Sequence, residues 1–180
     1  MAMPRRTGTP RREMNSFILR HVRPGSAIVD VGCGRGETAL LIARHAPDVR
    51  IEGIERDRAR AAAANRRFRR AGRERTLRCR PGDATELRRT FGRARFDFAI
   101  ANNSFHEFWH PVRALRAIRA VLKPEGTLLI VEFVPKAGEL VDDCPRYSRR
   151  KIIELTGRGG FRRASSAERS DAILVKAQKG

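Results

Sequence analysis

Apolar positions along this 180-residue chain switch repeatedly between short apolar runs and a helical spacing near 3.6, marking alternating strands and helices. From Arg11 to Val22, Met14, Phe17, Ile18 and His21 recur at helical spacing, and Pro24-Gly25 ends the segment. Ala27 to Val31 reads as an apolar strand, Glu37 to His45 as a helix and Arg50 to Glu55 as a second strand. The next helix carries Ala61, Ala64, Phe68 and Ala71 on one stripe, with arginines opposite. Thr76 to Cys79 is a short third strand, followed by a helix near Leu87 and a fourth strand from Phe96 to Ala101. Pro111 opens a helix over Val112 to Leu122, whose buried face is Val112, Leu115, Ile118 and Leu122. Lys123-Pro124-Glu125-Gly126 stops it, and Thr127 to Phe133 is a long apolar fifth strand. A helix over Ser148 to Thr156 and two strands, Phe161 to Ala167 and Ala172 to Lys176, complete the chain. Strand and helix in alternation, then a terminal hairpin, give an α/β fold. The expected form is one doubly wound, Rossmann-like sheet of seven strands, mostly parallel, with a C-terminal antiparallel hairpin. Residues 1–10 read as a flexible basic arm and 11–180 as a single domain.

The first strand runs into the densest local signal, Ile28 to Glu37, where Asp30 is followed by glycines at 32, 34 and 36 and then by a helix start. Glycines permit turn dihedrals closed to other residues and let a ligand approach the backbone. The following helix offers free N–H groups to something electron-rich. The dinucleotide fingerprint needs its third glycine at position 37, where Glu37 stands, and no Lys-Ser or Lys-Thr follows the glycines as in a phosphate-binding P-loop. In an open α/β sheet the ligand sits beyond the carboxyl ends of the strands. Those ends carry Glu55, Asp83 and Asn102-Asn103.

Charge changes the picture in one respect. The chain has 39 Lys and Arg against 20 Asp and Glu, a net charge of +19, and 34 of those cations are arginine. Such a surface attracts nucleic acid or other anions without regard to sequence, and a GC-rich genome produces the same bias. Eleven arginines lie between Arg56 and Arg80 against Asp57 and Glu74, but Phe68 is the aromatic residue among them and the stripe places it in the core. Base-stacking platforms have no evident supply there. Cys33, Cys79 and Cys144 show neither paired nor metal-ligand spacing, and an odd count argues against a disulfide scaffold. No metal ligand set is apparent. No segment reaches transmembrane length and the N-terminus lacks an apolar signal-peptide stretch, so the expectation is a cytoplasmic protein without membrane insertion.

The run Asp30 to Gly36 resembles motif I of the class I S-adenosylmethionine (SAM) methyltransferases. The likeness continues through IEGIE, GDATEL, FDFAIANNSFHEF and LRAIRAVLKPEGTLLIVEF, from residue 26 to about 133. FHEFWHP with LKPEG resembles the small-molecule enzymes related to ubiquinone and menaquinone biosynthesis, with Glu125 where that group has a second glycine. The resemblance implies SAM as cofactor, with Gly32, Cys33, Gly34 and Gly36 bordering its methionine part and Asp30 orienting its amino group. It further implies Glu55 on the ribose, Asp83 on the adenine amino group and the Asn102 carbonyl near the ammonium. Arg56 and Ala84, beside two of these, complete the expected set.

The acceptor is read from the loop after the fourth strand. A base is needed only if the acceptor has a proton to lose, and His106 and Glu107 are the candidates. His110, before Pro111, reads as a helix-entry residue, while Phe105, Phe108 and Trp109 are candidates to line an acceptor pocket. Asp142, Asp143, Arg146 and Tyr147 offer charges and a hydroxyl in the loop over 134–147. The main expectation is methyl transfer to a small organic acceptor at O, N or C. The rivals are an RNA methyltransferase using the arginine-rich surface and a non-catalytic SAM-binding partner protein. Oligomeric state is not legible.

Overall fold

A computed structural model of the chain describes residues 9–134 and 146–180. Most of the expected basic arm, and Asp142, Asp143 and Cys144, lie outside the described residues. Seven strands form one sheet: β1 (Ala27–Val31), β2 (Arg50–Glu55), β3 (Leu77–Pro81), β4 (Phe96–Asn102), β5 (Leu122–Phe133), β6 (Phe161–Arg169) and β7 (Ala172–Lys179). Their order is β3-β2-β1-β4-β5-β7-β6, with β1 to β5 parallel and β7 antiparallel to both β5 and β6. The helices are α1 (Pro10–His21), α2 (Glu37–His45), α3 (Arg58–Arg70), α4 (Leu87–Phe91), α5 (Pro111–Val121) and α6 (Arg149–Arg158).

Strand alternation divides the core in two. Ile28, Ile51, Leu77, Phe98, Ile100, Leu129 and Val131 face α1, α2 and α3, whereas Val29, Val31, Ala99, Leu128 and Ile130 face α4, α5 and α6. Both faces of the parallel strands are covered, which is why they read as continuous apolar runs. Two charged residues break the runs: Asp30 and Glu132 are both buried.

Local chemistry explains the boundaries. Asp57 caps α3, accepting from the N–H groups of Ala59 at 2.7 Å and Arg60 at 3.1 Å. Ala71, expected on the core stripe, is instead the exposed C-cap residue of that helix. The α5–β5 junction also differs from expectation. The helix ends at Val121, and β5 begins at Leu122, paired with Phe96 before the register jumps to Phe98–Thr127. The residues between bulge out of the strand, and Glu125 there adopts φ 58°, a conformation that favours glycine. β3 is an edge strand, and Asn65 of α3 covers it by bonding both the carbonyl (2.7 Å) and the N–H (2.9 Å) of Cys79.

Candidate functional site

The strand order reverses at β1, which has β2 on one side and β4 on the other. A crevice opens there, beyond the carboxyl ends, as in other open α/β sheets. The turn after β1 forms its floor. Gly32 and Cys33 both donate to the Ile54 carbonyl, at 2.8 and 3.1 Å, and Gly36 donates to that of Cys33 at 2.8 Å.

All three glycines have positive φ, 75°, 53° and 80°, but they serve different purposes. A Cβ on Gly32 would stand 2.5 Å from that of Ser104, and one on Gly36 would stand 2.5 Å from the Phe68 ring. A Cβ on Gly34 would meet no atom within 4 Å. Two of the glycines therefore close the fold, and Gly34 faces the open cleft. Of the expected cofactor residues, Gly36 packs inward and Asp30 lies behind the turn, and neither lines the cleft.

Two cavities, of about 460 and 40 Å³, share Gly32, Glu55, Ser104 and Glu107 along their walls and form one continuous cleft. The smaller end carries Arg56, Asp83, Ala84 and Phe108; the larger carries Cys33, Gly34, Thr38, Asn102 and Asn103, with Met14 and Asn15 of α1 and Phe133 of β5 opposite.

Glu55 does more than the sequence indicates. Its two oxygens accept from the Gly34 N–H at 2.9 Å and the Asp57 N–H at 3.0 Å, so this carboxylate fastens the glycine turn to the start of α3. Each oxygen retains a second lone pair for a hydroxyl on the ligand. Asp83 accepts from the N–H and hydroxyl of Thr85, both on Oδ1, at 2.8 and 2.6 Å. Burial opposes its ionisation, but the Thr85 bonds and the nearby Arg56 and His110 hold its carboxyl below the usual range. Asn102 donates to the Thr38 hydroxyl at 2.9 Å, leaving its backbone at the cleft wall.

Asp30 lies beneath the turn, 1% exposed, and its Oδ2 has no hydrogen-bond partner among the described residues. Burial first, then the charges of Glu55 and Glu37, push its carboxyl up to about 7. An orphaned buried carboxylate is costly and calls for a cationic or hydrogen-bonding ligand. The ammonium and sulfonium of SAM meet that requirement, and the open space at Gly34 with acceptors at Glu55 and Asp83 suits the rest of the molecule. The residues present fit the cofactor.

The acceptor side contains a pairing that sequence reasoning missed. His106 is buried and its Nδ1 lies 2.8 Å from Oε2 of Glu132 at the end of β5. Glu132 also accepts from the N–H groups of Phe105 (2.7 Å) and His106 (3.3 Å), with the Arg146 guanidinium 3.8 Å away. Its signal was a lone carboxylate inside the apolar run LLIVEF. Neither cavity is lined by His106; Glu107 lines both and stands 3.9 Å from His106 Nε2. The two expected catalytic residues are thus stacked, Glu107 at the wall and His106 behind it.

His110 is the N-cap residue of α5, as its place before Pro111 implied. Phe105 is wholly buried against Phe108 and Tyr147, so of the three aromatic candidates only Phe108 lines the cleft. Trp109 is 80% exposed, with the Arg56 guanidinium 5.0 Å from its ring centre. Arg146 donates to the Asn103 side chain at 3.1 Å and lies over the Phe133 ring. The cysteines depart from expectation: the sulfur atoms of Cys33 and Cys79 meet across β2, although their spacing offers no reason to pair them.

Residues 28–126 match a family model described as a methyltransferase domain. Over 130 residues the chain is 35% identical to a 27-O-demethylrifamycin SV methyltransferase of Amycolatopsis mediterranei, covering 69% of this chain and 46% of that protein. It is 30% identical over 135 residues to a demethylmenaquinone methyltransferase of Deinococcus radiodurans, covering 72% and 52%. The chain spans about half the length of these relatives. In fold it resembles a crystal structure of a SAM-dependent methyltransferase from Aquifex aeolicus, with a TM-score of 0.79 at 19% identity, covering 95% of this chain and 89% of that one.

Proposed function

The chain belongs to the methyltransferase-domain family, and from that premise we propose that it transfers a methyl group from SAM to a small organic acceptor at oxygen, nitrogen or carbon. The observation that carries this reading is the continuity of the two cavities. Gly32, Glu55, Ser104 and Glu107 border both, so a nucleoside at the Asp83 end and an acceptor at the Phe133 end share one cleft. The relatives named for a demethylrifamycin and a demethylmenaquinone support an acceptor of small-molecule size.

SAM supplies an electrophilic methyl carbon on a sulfonium, and the chain supplies alignment, which accounts for much of the acceleration in such a displacement. The glycine turn and Glu55 hold the ligand, and Asp30 acts on its positive end from behind the turn, through water. For an acceptor bearing O–H or N–H, Glu107 meets the proton at the cleft wall. His106 stands behind it, and catalytic contacts of this length tighten when the site fills. The hydrogen bond from Nδ1 to Glu132 fixes the proton on Nδ1 and leaves the Nε2 lone pair facing Glu107. The proton ends on Nε2, and the buried Glu132 carboxylate stabilises the imidazolium. Glu132 acts through His106 and is a positioning residue.

The test is transfer of a labelled methyl group from SAM to cell extract, followed by separation into small-molecule, RNA and protein fractions. Label in small molecules is the expected result, and absence of label anywhere with SAM bound returns the chain to a non-catalytic role. Trp109 favours a second reading. Resting on Arg56, just before the arginine-rich α3, it supplies the exposed aromatic that base stacking requires. Label in the RNA fraction, lost steeply with added salt, is the outcome that selects it.

A further inference from the structure

Gly53 in β2 has no side chain, and the space above it is filled from both sides. A Cβ there would lie 2.6 Å from the Cys33 sulfur and 3.3 Å from that of Cys79. Cys33 comes from the glycine turn and lines the larger cavity; Cys79 sits in β3 and is buried away from it. Glycine at 53 is what allows the two sulfurs to meet across an intervening strand.

Their Cα atoms stand 7.2 Å apart. A disulfide spans about 4.4–6.8 Å between Cα atoms, so full closure requires backbone movement. Cys79 is not free to supply it, being registered against Gly53 in β3 and gripped by both polar atoms of Asn65 at 2.7 and 2.9 Å. Cys33 is held at its N–H by the Ile54 carbonyl (3.1 Å) and at its carbonyl by Gly36 (2.8 Å), but it lies between Gly32 and Gly34, whose dihedral freedom makes this the more compliant side. Drawing Cys33 toward β3 pulls on the neighbouring Gly34 N–H, which Glu55 holds at 2.9 Å at the cleft floor.

We propose that Cys33 and Cys79 are a reversible oxidation site built into the cleft wall, and that closing their disulfide lowers the affinity for SAM. The proposal rests on the reading that SAM occupies this cleft. The oxidant is a peroxide small enough to enter it. The Cys33 sulfur attacks the O–O bond, forming a sulfenic acid and releasing one water once the thiol proton is transferred. The Cys79 thiol then attacks that sulfur, expelling a second water as the S–S bond forms. Two thiols are oxidised, one peroxide is reduced to two waters, and a dithiol reductant reverses the change.

The experiment uses the full chain carrying Cys144→Ser, so that no third thiol competes, treated with hydrogen peroxide or with dithiothreitol. Peptide mapping by mass spectrometry detects a Cys33–Cys79 link, and calorimetry gives the SAM affinity of each form. The expected result is a linked peptide with affinity reduced about tenfold, the worth of one hydrogen bond from the turn, and restored by reductant. Cys79→Ala, which does not line the cleft, should bind SAM as the reduced protein does and ignore peroxide. No linked peptide, a linked form with unchanged affinity, or a Cys79→Ala protein that loses affinity in peroxide would each overturn the proposal. A reduced protein that does not bind SAM at all sinks the cofactor reading itself, and the proposed control of affinity with it.

Discussion

If Asp30 acts on the SAM ammonium as proposed, SAM binding should depend on pH, with a sign fixed by the buried position of its carboxyl. Burial chiefly pushes that carboxyl from 3.8 to about 7. It is therefore largely protonated at about pH 6, whereas a cation placed against it favours the carboxylate. Binding then releases a proton wherever the free protein still carries one. If the complex holds the group below about 5, affinity changes about tenfold per pH unit below 7 and levels off above it. Between about pH 5.5 and 8 the gain is about 30-fold, or about 2 kcal/mol. Calorimetry in two buffers of different ionisation enthalpy counts the protons directly, with about one released near pH 6 and none near pH 8.5. Asp30→Asn should bind SAM weakly and with little pH dependence.

The same shift bears on folding. Because the folded value is raised, the stability contributed by the protonated group is fully present below about pH 4 and is lost as pH rises through 7. The difference amounts to about 4 kcal/mol. Asp30→Asn should therefore melt higher than the parent at about pH 8 in the absence of SAM, even as it loses the ligand. Affinity independent of pH in the parent protein, or proton uptake on binding, refutes the reasoning.

Five other substitutions separate roles within and around the cleft. Glu55→Ala should weaken SAM binding by about 1–3 kcal/mol and also lower the melting temperature, since the Gly34 and Asp57 N–H groups lose their acceptor; unchanged affinity removes Glu55 from the ligand. Gly34→Val should abolish SAM binding and keep the fold by circular dichroism, with a stability cost from its φ of 53° alone, whereas Gly36→Ala adds overlap with the buried Phe68 ring, about 1–3 kcal/mol, and leaves the cleft lining unchanged. Equal behaviour of the two variants contradicts the division between open and packed glycines. His106→Ala should lower turnover about 100-fold with SAM affinity retained, and Glu132→Gln should shift the pH–rate profile as it leaves the His106 tautomer unsecured; a rate unaffected by both confines this pair to the pocket wall.

The bounds of β1, α2 and β2 agree with the hydrophobic pattern because the strands are short, nearly continuous buried runs and the helix buries one locally recurring face. The bulged start of β5 escaped it, since Glu125 takes a left-handed conformation that its side chain does not advertise. Glu132 was visible only as a break in an apolar run, without a partner to give it meaning.

What the sequence by itself determined is the doubly wound topology and the arrival of Asp30, Glu55, Asp83 and Asn102 at one edge of the sheet. Apolar runs, glycine spacing and strand-end chemistry are properties of neighbouring residues. Only the tertiary structure decided that Glu132 secures His106, 26 positions earlier, that the Cys33 and Cys79 sulfurs meet across 46 positions, and that Arg56 lies under Trp109. These contacts depend on which strands lie side by side and on the empty space above Gly53, and no local pattern records either.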